Sequence, residues 1–247
     1  MRTVLRRVVM AGLFLAWVSA ASAQTADEIV EKHLAAIGGR QALLKLTSST
    51  MAGTITLTTQ VGDLSGTIEV VNEAPNKSRT LMKVDLSSLG AGTMTYDQRF
   101  DGQVGYIIDT LQGNRDITGD QLELMKNGSF PSPLLNYKAT GASLAINGRE
   151  KLGEREAYLL VLTPKSGPAV RQYVDAESYL PVRTVVRIDV PQFGELQQTT
   201  DLFDFRDVDG VKVPFGLKGT SAVQSYTVTL TNVEHNAKID ETVFSKP

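Results

Sequence analysis

The chain carries one short apolar run near its N-terminus, and the whole chain contains no cysteine. A basic start (residues 2–7) precedes the apolar residues 8–20, and the sequence Ala-Ser-Ala ends directly before Gln24. This order is typical of a secretory signal peptide, and the run is too short to span a bilayer. We therefore expect cleavage after Ala23, so that residues 24–247 are exported to a bacterial periplasm.

The absence of cysteine restricts both the fold and the chemistry. It excludes disulfides, thiolate metal sites and thiol nucleophiles, and it removes the residue on which a bacterial lipoprotein is acylated. Of the 25 lysines and arginines in the whole chain, 22 remain after residue 23, against 27 aspartates and glutamates, for a net charge of −5. This charge argues against nucleic acid as a partner, because phosphate binding needs a basic surface. We expect one domain over residues 24–247, held by packing alone and without a transmembrane anchor.

The expected mature chain opens with a predicted helix. Thr25 and Glu28 have the spacing of a capping box, and apolar residues follow at helical spacing as far as Ile37. The glycine pair after Ile37 is typical of a helix end. A short second helical piece is expected over residues 40–46.

From Ser48 onward the sequence alternates between apolar and polar residues with a period of two. Turn signals at hairpin spacing separate about ten or eleven such runs, which predicts one large, curved, mostly antiparallel sheet. Some runs, such as residues 158–162, are apolar at both alternating sets of positions. Something must then cover each face of the sheet: helices on one side, and core, lid or ligand on the other. An enclosed apolar cavity beside the helix on the concave face is therefore expected.

One interruption of the strand pattern stands in the middle of the chain. Thr118 and Gln121 have capping-box spacing, and an apolar helical stretch follows as far as Gly128. An apolar loop with two prolines then continues to Leu135. Two interpretations stay open for residues 118–135: a fixed plug that completes the core, and a movable lid.

Candidate catalytic groups are sparse. His33 shares the apolar stripe of the first helix and is expected to be packed, whereas His235 lies in a polar stretch and is expected to be a solvated turn residue. Asp97, Asp101 and Asp109 are acidic neighbours, but Asp101 precedes a glycine and is better explained as part of a tight turn. The histidines lack metal-ligand spacing. We expect no enzyme, no metal and no cofactor, and a hydrolase is the least favoured alternative.

Four segments resemble the periplasmic LolA-like, outer-membrane lipoprotein-sorting superfamily. They are residues 26–43, residues 173–183 (YVDAESYLPVR), residues 204–215 (DFRDVDGVKVPF) and the ending at residues 236–247, and they occur in the family's order. The likeness is to the broad branch of the superfamily, so no binding arginine is carried over from the dedicated lipoprotein carrier. The resemblance implies an unclosed antiparallel β-barrel of about eleven strands with helices over its open side. It also implies a carrier of acyl chains or lipidated proteins.

The favoured hypothesis is a non-enzymatic periplasmic carrier or binder of a lipid or acylated cargo, with envelope proteins as further partners. The alternative is a structural or interaction module of the envelope without a small-molecule cargo. The candidate lining and lid residues are large and apolar, and flexible methionines suit varied acyl chains: Met82, Val84, Leu86, Met94, Leu122, Met125, Phe130, Leu134 and Leu135.

Overall fold

Thirteen strands form one antiparallel sheet in the computed structural model of the chain, which describes residues 24–190 and 194–247. The expected signal peptide therefore lies outside the described residues. The strands are β1 (Ser48–Thr59), β2 (Gly62–Glu73), β3 (Lys77–Asp85), β4 (Thr93–Phe100), β5 (Gly105–Asp109), β6 (Arg115–Ile117), β7 (Ser143–Leu152), β8 (Arg155–Thr163), β9 (Val170–Asp175), β10 (Pro181–Val190), β11 (Gly194–Val208), β12 (Val211–Thr220) and β13 (Ser225–His235).

Short helical elements accompany the sheet. The α-helices are α1 (Ala26–Ala36), α2 (Arg40–Leu43), α3 (Gly119–Asn127) and α4 (Tyr137–Thr140), and two 3₁₀ turns cover Ser87–Leu89 and Glu241–Phe244. The predicted capping box of α1 is confirmed, because Glu28 N donates to Thr25 Oγ1 at 3.2 Å and Thr25 N donates to Glu28 Oε2 at 3.0 Å. Both predicted N-terminal helical segments are present, with the second ending at Leu43 rather than at residue 46.

The sheet consists of two meanders that join side by side. Strands β1–β6 form one and strands β7–β13 the other, and the pairing of β1 with β13 connects them. The outermost strands are β6 and β7, which do not pair with each other in the described part of the chain. The predicted unclosed antiparallel half-barrel is therefore confirmed. It has thirteen strands rather than about eleven, partly because a strand as short as β6 leaves no period-two signal in the sequence.

Most of the core lies on one face of the sheet, called the inner face here. Ile29, Val30 and Leu34 of α1 are almost completely buried and pack in one cluster with side chains from both meanders. Strand residues in that cluster include Ile55, Ile68, Val84, Leu160, Val174, Phe215 and Val228. The predicted packing of the first helix against the sheet is thus confirmed.

The opposite, outer face carries a smaller cluster, as the doubly apolar strands predict. Leu159, Tyr173 and Val185 are buried there together with Ala157. They alternate with the inner-face residues of β8, β9 and β10, since successive side chains of a strand point to opposite faces. Burial on both faces explains why residues 158–162 are continuously apolar.

Two expectations about polar residues are wrong. His235 is not a solvated turn residue: β13 continues through it opposite Ser49, and its side chain is 4% exposed. Pairing with β1 overrides the polar composition of that stretch. Thr118 makes no capping bond, and the side chain of Gln121 instead donates to Gln98 of β4 at 3.3 Å. Helix α3 does end at Gly128 as predicted.

His33 is packed as expected, 1% exposed, with Nδ1 donating to the backbone oxygen of Tyr179 at 3.0 Å. Burial lowers the pKa of His33 below its ordinary value of 6.5, although the hydrogen bond to Tyr179 opposes this shift. Folding therefore favours the neutral imidazole, and its stabilising contribution is fully present above about pH 6.5 and is lost as the pH falls below that value.

We expect urea unfolding, followed by circular dichroism, to show the wild type losing stability between pH 7.5 and pH 5.5. His33→Asn, which keeps a donor for Tyr179 O, should flatten this dependence, while His235→Asn serves as the control. An unchanged slope in His33→Asn would show that other groups cause the loss.

Candidate functional site

The residues between the two outermost strands, 118–142, form a strap that links the open edges of the half-barrel. Its first half is α3, and polar contacts hold α3 to both meanders. Gln121 donates to Gln98 of β4, and Asp120 Oδ2 accepts from the backbone nitrogen of Asp189 in β10 at 3.1 Å. Asn127 Nδ2 donates to the oxygen of Ser166, in the β8–β9 turn, at 2.7 Å. The strap thus crosses the gap that the sheet leaves open.

An apolar cavity of about 430 Å³ lies between the end of α3, the rest of the strap and the inner face of β8 and β9. Its apolar lining includes Leu124, Pro133, Tyr137, Ala142, Leu162 and Val170. Polar groups of Asn76, Lys126, Asn127, Asn136 and Thr140 also line it. The volume falls in the range of small-molecule sites, which are typically apolar with a few polar groups. The apolar space lies beneath the strap rather than beside α1, where it was expected.

The two halves of the strap are held very differently. No residue of α3, all of which the structure describes, is buried. By contrast, Leu134 is 1% exposed, and Leu135 and Tyr137 are also buried in the main core. Arg40 Nη1 donates to Leu135 O at 2.7 Å, and Tyr137 donates to a carboxylate oxygen of Asp27 in α1. The first half therefore has the contacts of a lid, and the second half those of a plug.

The nine candidate lining residues occupy three environments. Val84, Leu86, Leu134 and Leu135 are buried in the main core, and Met82, Met94 and Phe130 pack against it partly buried. Leu122 and Met125 are half-buried on α3. None of the nine, all of which are described, lines the 430 Å³ cavity. Their contact with a ligand stays a prediction.

The cavity residues that the sequence did not single out come from positions without a distinctive pattern. Leu124 lies in the predicted mid-chain helix between Leu122 and Met125. All three are apolar, so the sequence pattern alone did not show which of them lines the cavity. Leu162 and Val170 face each other across β8 and β9. Their alternation with outer-face residues identifies strands, but it does not reveal which inward side chains lie next to empty space.

The buried charged groups near the strap form structural pairs. Asp97 is 3% exposed and accepts from Arg79 Nε and Nη2 at 2.8 Å and from Arg99 Nη2 at 2.8 Å. Burial acts to raise the pKa of Asp97, but the hydrogen bonds from both arginines hold it below its usual value. Burial also raises the pKa of Tyr96 to about 12. Asp101 accepts from the nitrogens of Gln103 and Val104, so the predicted tight turn is confirmed.

Groups of three or more potential metal ligands are not found among the described residues. In the same part of the chain, every helix is too short or too polar to cross a membrane.

Solved structures share this architecture at low sequence identity. A LolA superfamily protein from Nitrosomonas europaea is 13% identical, with a TM-score of 0.56, over 91% of this chain and 99% of that one. A domain named for outer membrane lipoprotein sorting, from Vibrio parahaemolyticus, is 12% identical with a TM-score of 0.54, over 88% and 94%. A DUF1329 family protein from Desulfovibrio piger is 11% identical with a TM-score of 0.57, over 90% and 98%.

Comparisons of the sequence itself give no match. No protein-family model matches the chain, and no curated protein matches it. The structural likeness establishes that the chain has a LolA-like fold, as the four sequence segments indicated.

Proposed function

We propose that this LolA-like half-barrel is an exported, non-enzymatic carrier that binds an acyl chain of a lipid or acylated cargo beneath the strap. The observation that carries the proposal is the apolar cavity of about 430 Å³ at the open side of the sheet. The signal-like residues 1–23 support a periplasmic location, and the lipoprotein-sorting name of one structural neighbour supports a lipidic cargo.

The energetics of the cavity favour an acyl chain. Each buried methylene contributes about 0.8 kcal/mol, so six methylenes contribute about 5 kcal/mol without any specific polar contact. The lining residues Leu124, Leu162 and Val170 supply an apolar surface for them. Lys126 lines the same cavity, and its ammonium group has three donors, one of which binds Glu123 at 2.9 Å. A cation at this position suits an amphiphile with an anionic head group.

Access to the cavity is proposed to occur by movement of α3. This helix contributes no buried side chain, and the hydrogen bonds that hold it involve exposed groups such as Asp120 and Asn127. Segments with few buried contacts belong to the least stable part of a fold and supply the lids of binding sites. Movement of α3 alone leaves every strand pair intact. Leu124 is the apolar α3 residue that lines the cavity, so it is proposed to cover the bound chain, and the role of Leu122 and Met125 as lid residues stays a prediction.

A fluorescent fatty-acid analogue titrated into residues 24–247 should bind saturably with one molecule per chain. We expect Leu124→Gln to weaken binding by about 1–3 kcal/mol, or about 5- to 150-fold, the scale of burying one such side chain. The melting temperature should change little, since Leu124 is only half-buried.

Leu89→Gln is the matched control, because Leu89 is 50% exposed and lies outside the strap. A Leu124→Gln variant that melts several degrees lower, with no binding by any form of the protein, would show that α3 is a plug. That outcome would favour the envelope interaction module over the carrier.

A further inference from the structure

The hairpin of β9 and β10 ends before its neighbours do, which leaves part of β11 without a partner on one side. The pairing of β10 with β11 begins at Arg183 opposite Asp201. On its other side β11 stays paired with β12 as far as Val208 opposite Val211. Within the described part of the chain, residues 202–208 therefore have a strand neighbour on the β12 side only. Such an edge presents unpaired backbone groups.

A concavity of about 870 Å³ lies beside this free edge, called the notch here. Its walls are the β7–β8 turn and β11, and its floor is the β9–β10 turn. Asp175 Oδ1 fixes that turn by accepting from Ser178 N at 2.7 Å and from Glu177 N at 3.1 Å. The notch is thus a bounded space in the plane of the sheet, where a neighbouring strand would otherwise continue.

The lining of the notch combines an exposed aromatic ring with an excess of negative charge. Phe203 is 45% exposed and lies over Gly216, where a β-carbon would come within 2.1 Å of the phenyl ring. Phe205 also lines the notch, beyond Asp204, whose φ of 54° lies in the left-handed region. Arg149 pairs with Glu156 at 3.6 Å, and Arg206 of the free edge pairs with Asp204 at 2.6 Å. With Arg206 counted, five carboxylates still outnumber three arginines at the notch: Arg149, Arg155 and Arg206 against Glu154, Glu156, Asp175, Glu177 and Asp204.

We infer that the notch docks an extended, basic peptide segment of a partner protein, which adds to the free edge of β11. Main-chain hydrogen bonds to an exposed sheet edge give such complexes their affinity, and alternate side chains give specificity. Lysines or arginines of the segment would meet the carboxylates, and an apolar side chain would cover the ring of Phe203. Four to six residues match the length of β11 from Phe203 to Val208.

A second copy of this chain fits the notch less well. The same edge of a second copy carries Asp204, Arg206 and Asp207 and is net negative, and residues 24–247 have a net charge of −5 from 22 basic and 27 acidic residues. Pairing two such edges brings like charges together, which disfavours association. A basic segment from a different protein has the complementary charge.

The test uses a fluorescein-labelled hexapeptide of alternating lysine and valine, with the alternating glutamate and valine peptide as its counterpart. We expect the basic peptide to bind saturably, as measured by fluorescence anisotropy, with a Kd at least tenfold lower than that of the acidic peptide. Its affinity should fall as salt is added, because salt screens the attraction between the charges. Hydrogen exchange of the wild type should slow at least fivefold at amides between residues 204 and 208 when the basic peptide is present. Binding without protection there, or equal binding of both peptides, would overturn the inference.

A charge-reversed variant tests the same surface. Glu154→Lys/Glu156→Lys should lower the affinity for the basic peptide at least tenfold. The control Asp63→Lys/Glu234→Lys changes two exposed acids outside the notch and should leave this affinity unchanged. Equal weakening by both variants would reduce the effect to net charge and contradict a specific site. The wild type could instead form a dimer that the basic peptide does not disrupt, with slowed hydrogen exchange at residues 204–208. That result would assign the edge to a second copy of the chain.

Discussion

Leu134→Ala is expected to lower the free energy of unfolding by about 2–5 kcal/mol, the range of buried leucine truncations. Leu134 is 1% exposed and belongs to the main core between the strap and the sheet. Leu124→Ala removes the same atoms from the first half of the strap, where α3 contributes no buried residue. We expect it to cost less than about 1 kcal/mol, because half-exposed positions leave little cavity behind.

Urea unfolding followed by far-ultraviolet circular dichroism measures both changes. Intrinsic tryptophan fluorescence is unsuitable, since the only tryptophan of the sequence is Trp17, before the expected cleavage site. Equal losses in Leu134→Ala and Leu124→Ala would contradict the division of the strap into a loosely held and an anchored half. They would indicate that residues 118–142 are one fixed unit of the core.

Ala142→Trp is expected to weaken binding of the fluorescent fatty-acid analogue at least 100-fold. Ala142 lines the cavity beneath the strap, so an indole ring there occupies space that an acyl chain needs. Exclusion of four methylenes costs about 3 kcal/mol, which corresponds to a loss of more than 100-fold in affinity. The protein should stay folded, because the added ring enters an existing cavity instead of displacing packed side chains.

Ala145→Trp is the matched control for this variant. Ala145 lies three residues further along the chain in β7, where it is exposed and faces Val161 of the outer-face cluster. Its replacement adds the same ring outside the cavity and should leave probe affinity within about twofold. If both tryptophan variants bind as the wild type does, the probe occupies another site.

The fold was largely predictable because its determinants are local. The capping box at Thr25 and Glu28 and the period-two alternation from Ser48 onward set the first helix and the antiparallel strands before any tertiary contact is considered. The predicted capping box at Thr118 failed for a non-local reason. The side chain of Gln121 finds a partner on β4, 23 residues earlier in the sequence, instead of the backbone of its own helix.

The candidate site was predictable only in outline. Apolar strands on both faces predicted a cavity beside the first helix, with residues 118–135 as a lid or a plug, whereas the structure places an apolar cavity beneath the strap. The particular lining depends on how two distant turns, at Asn76 and at Pro164, approach the same end of α3. His235 illustrates the same limit, since only its pairing with Ser49 buries a residue that its polar neighbours mark as solvated.

The carrier proposal is best tested by native mass spectrometry of the full-length chain, expressed in a Gram-negative bacterium and purified from its periplasm. We expect one bound lipid or fatty acid per wild-type chain, retained in Ala145→Trp and lost in Ala142→Trp. Adducts that persist in Ala142→Trp would place the ligand outside the cavity beneath the strap. Protein that carries no adduct, and takes up none after incubation with fatty acid, would contradict the carrier function.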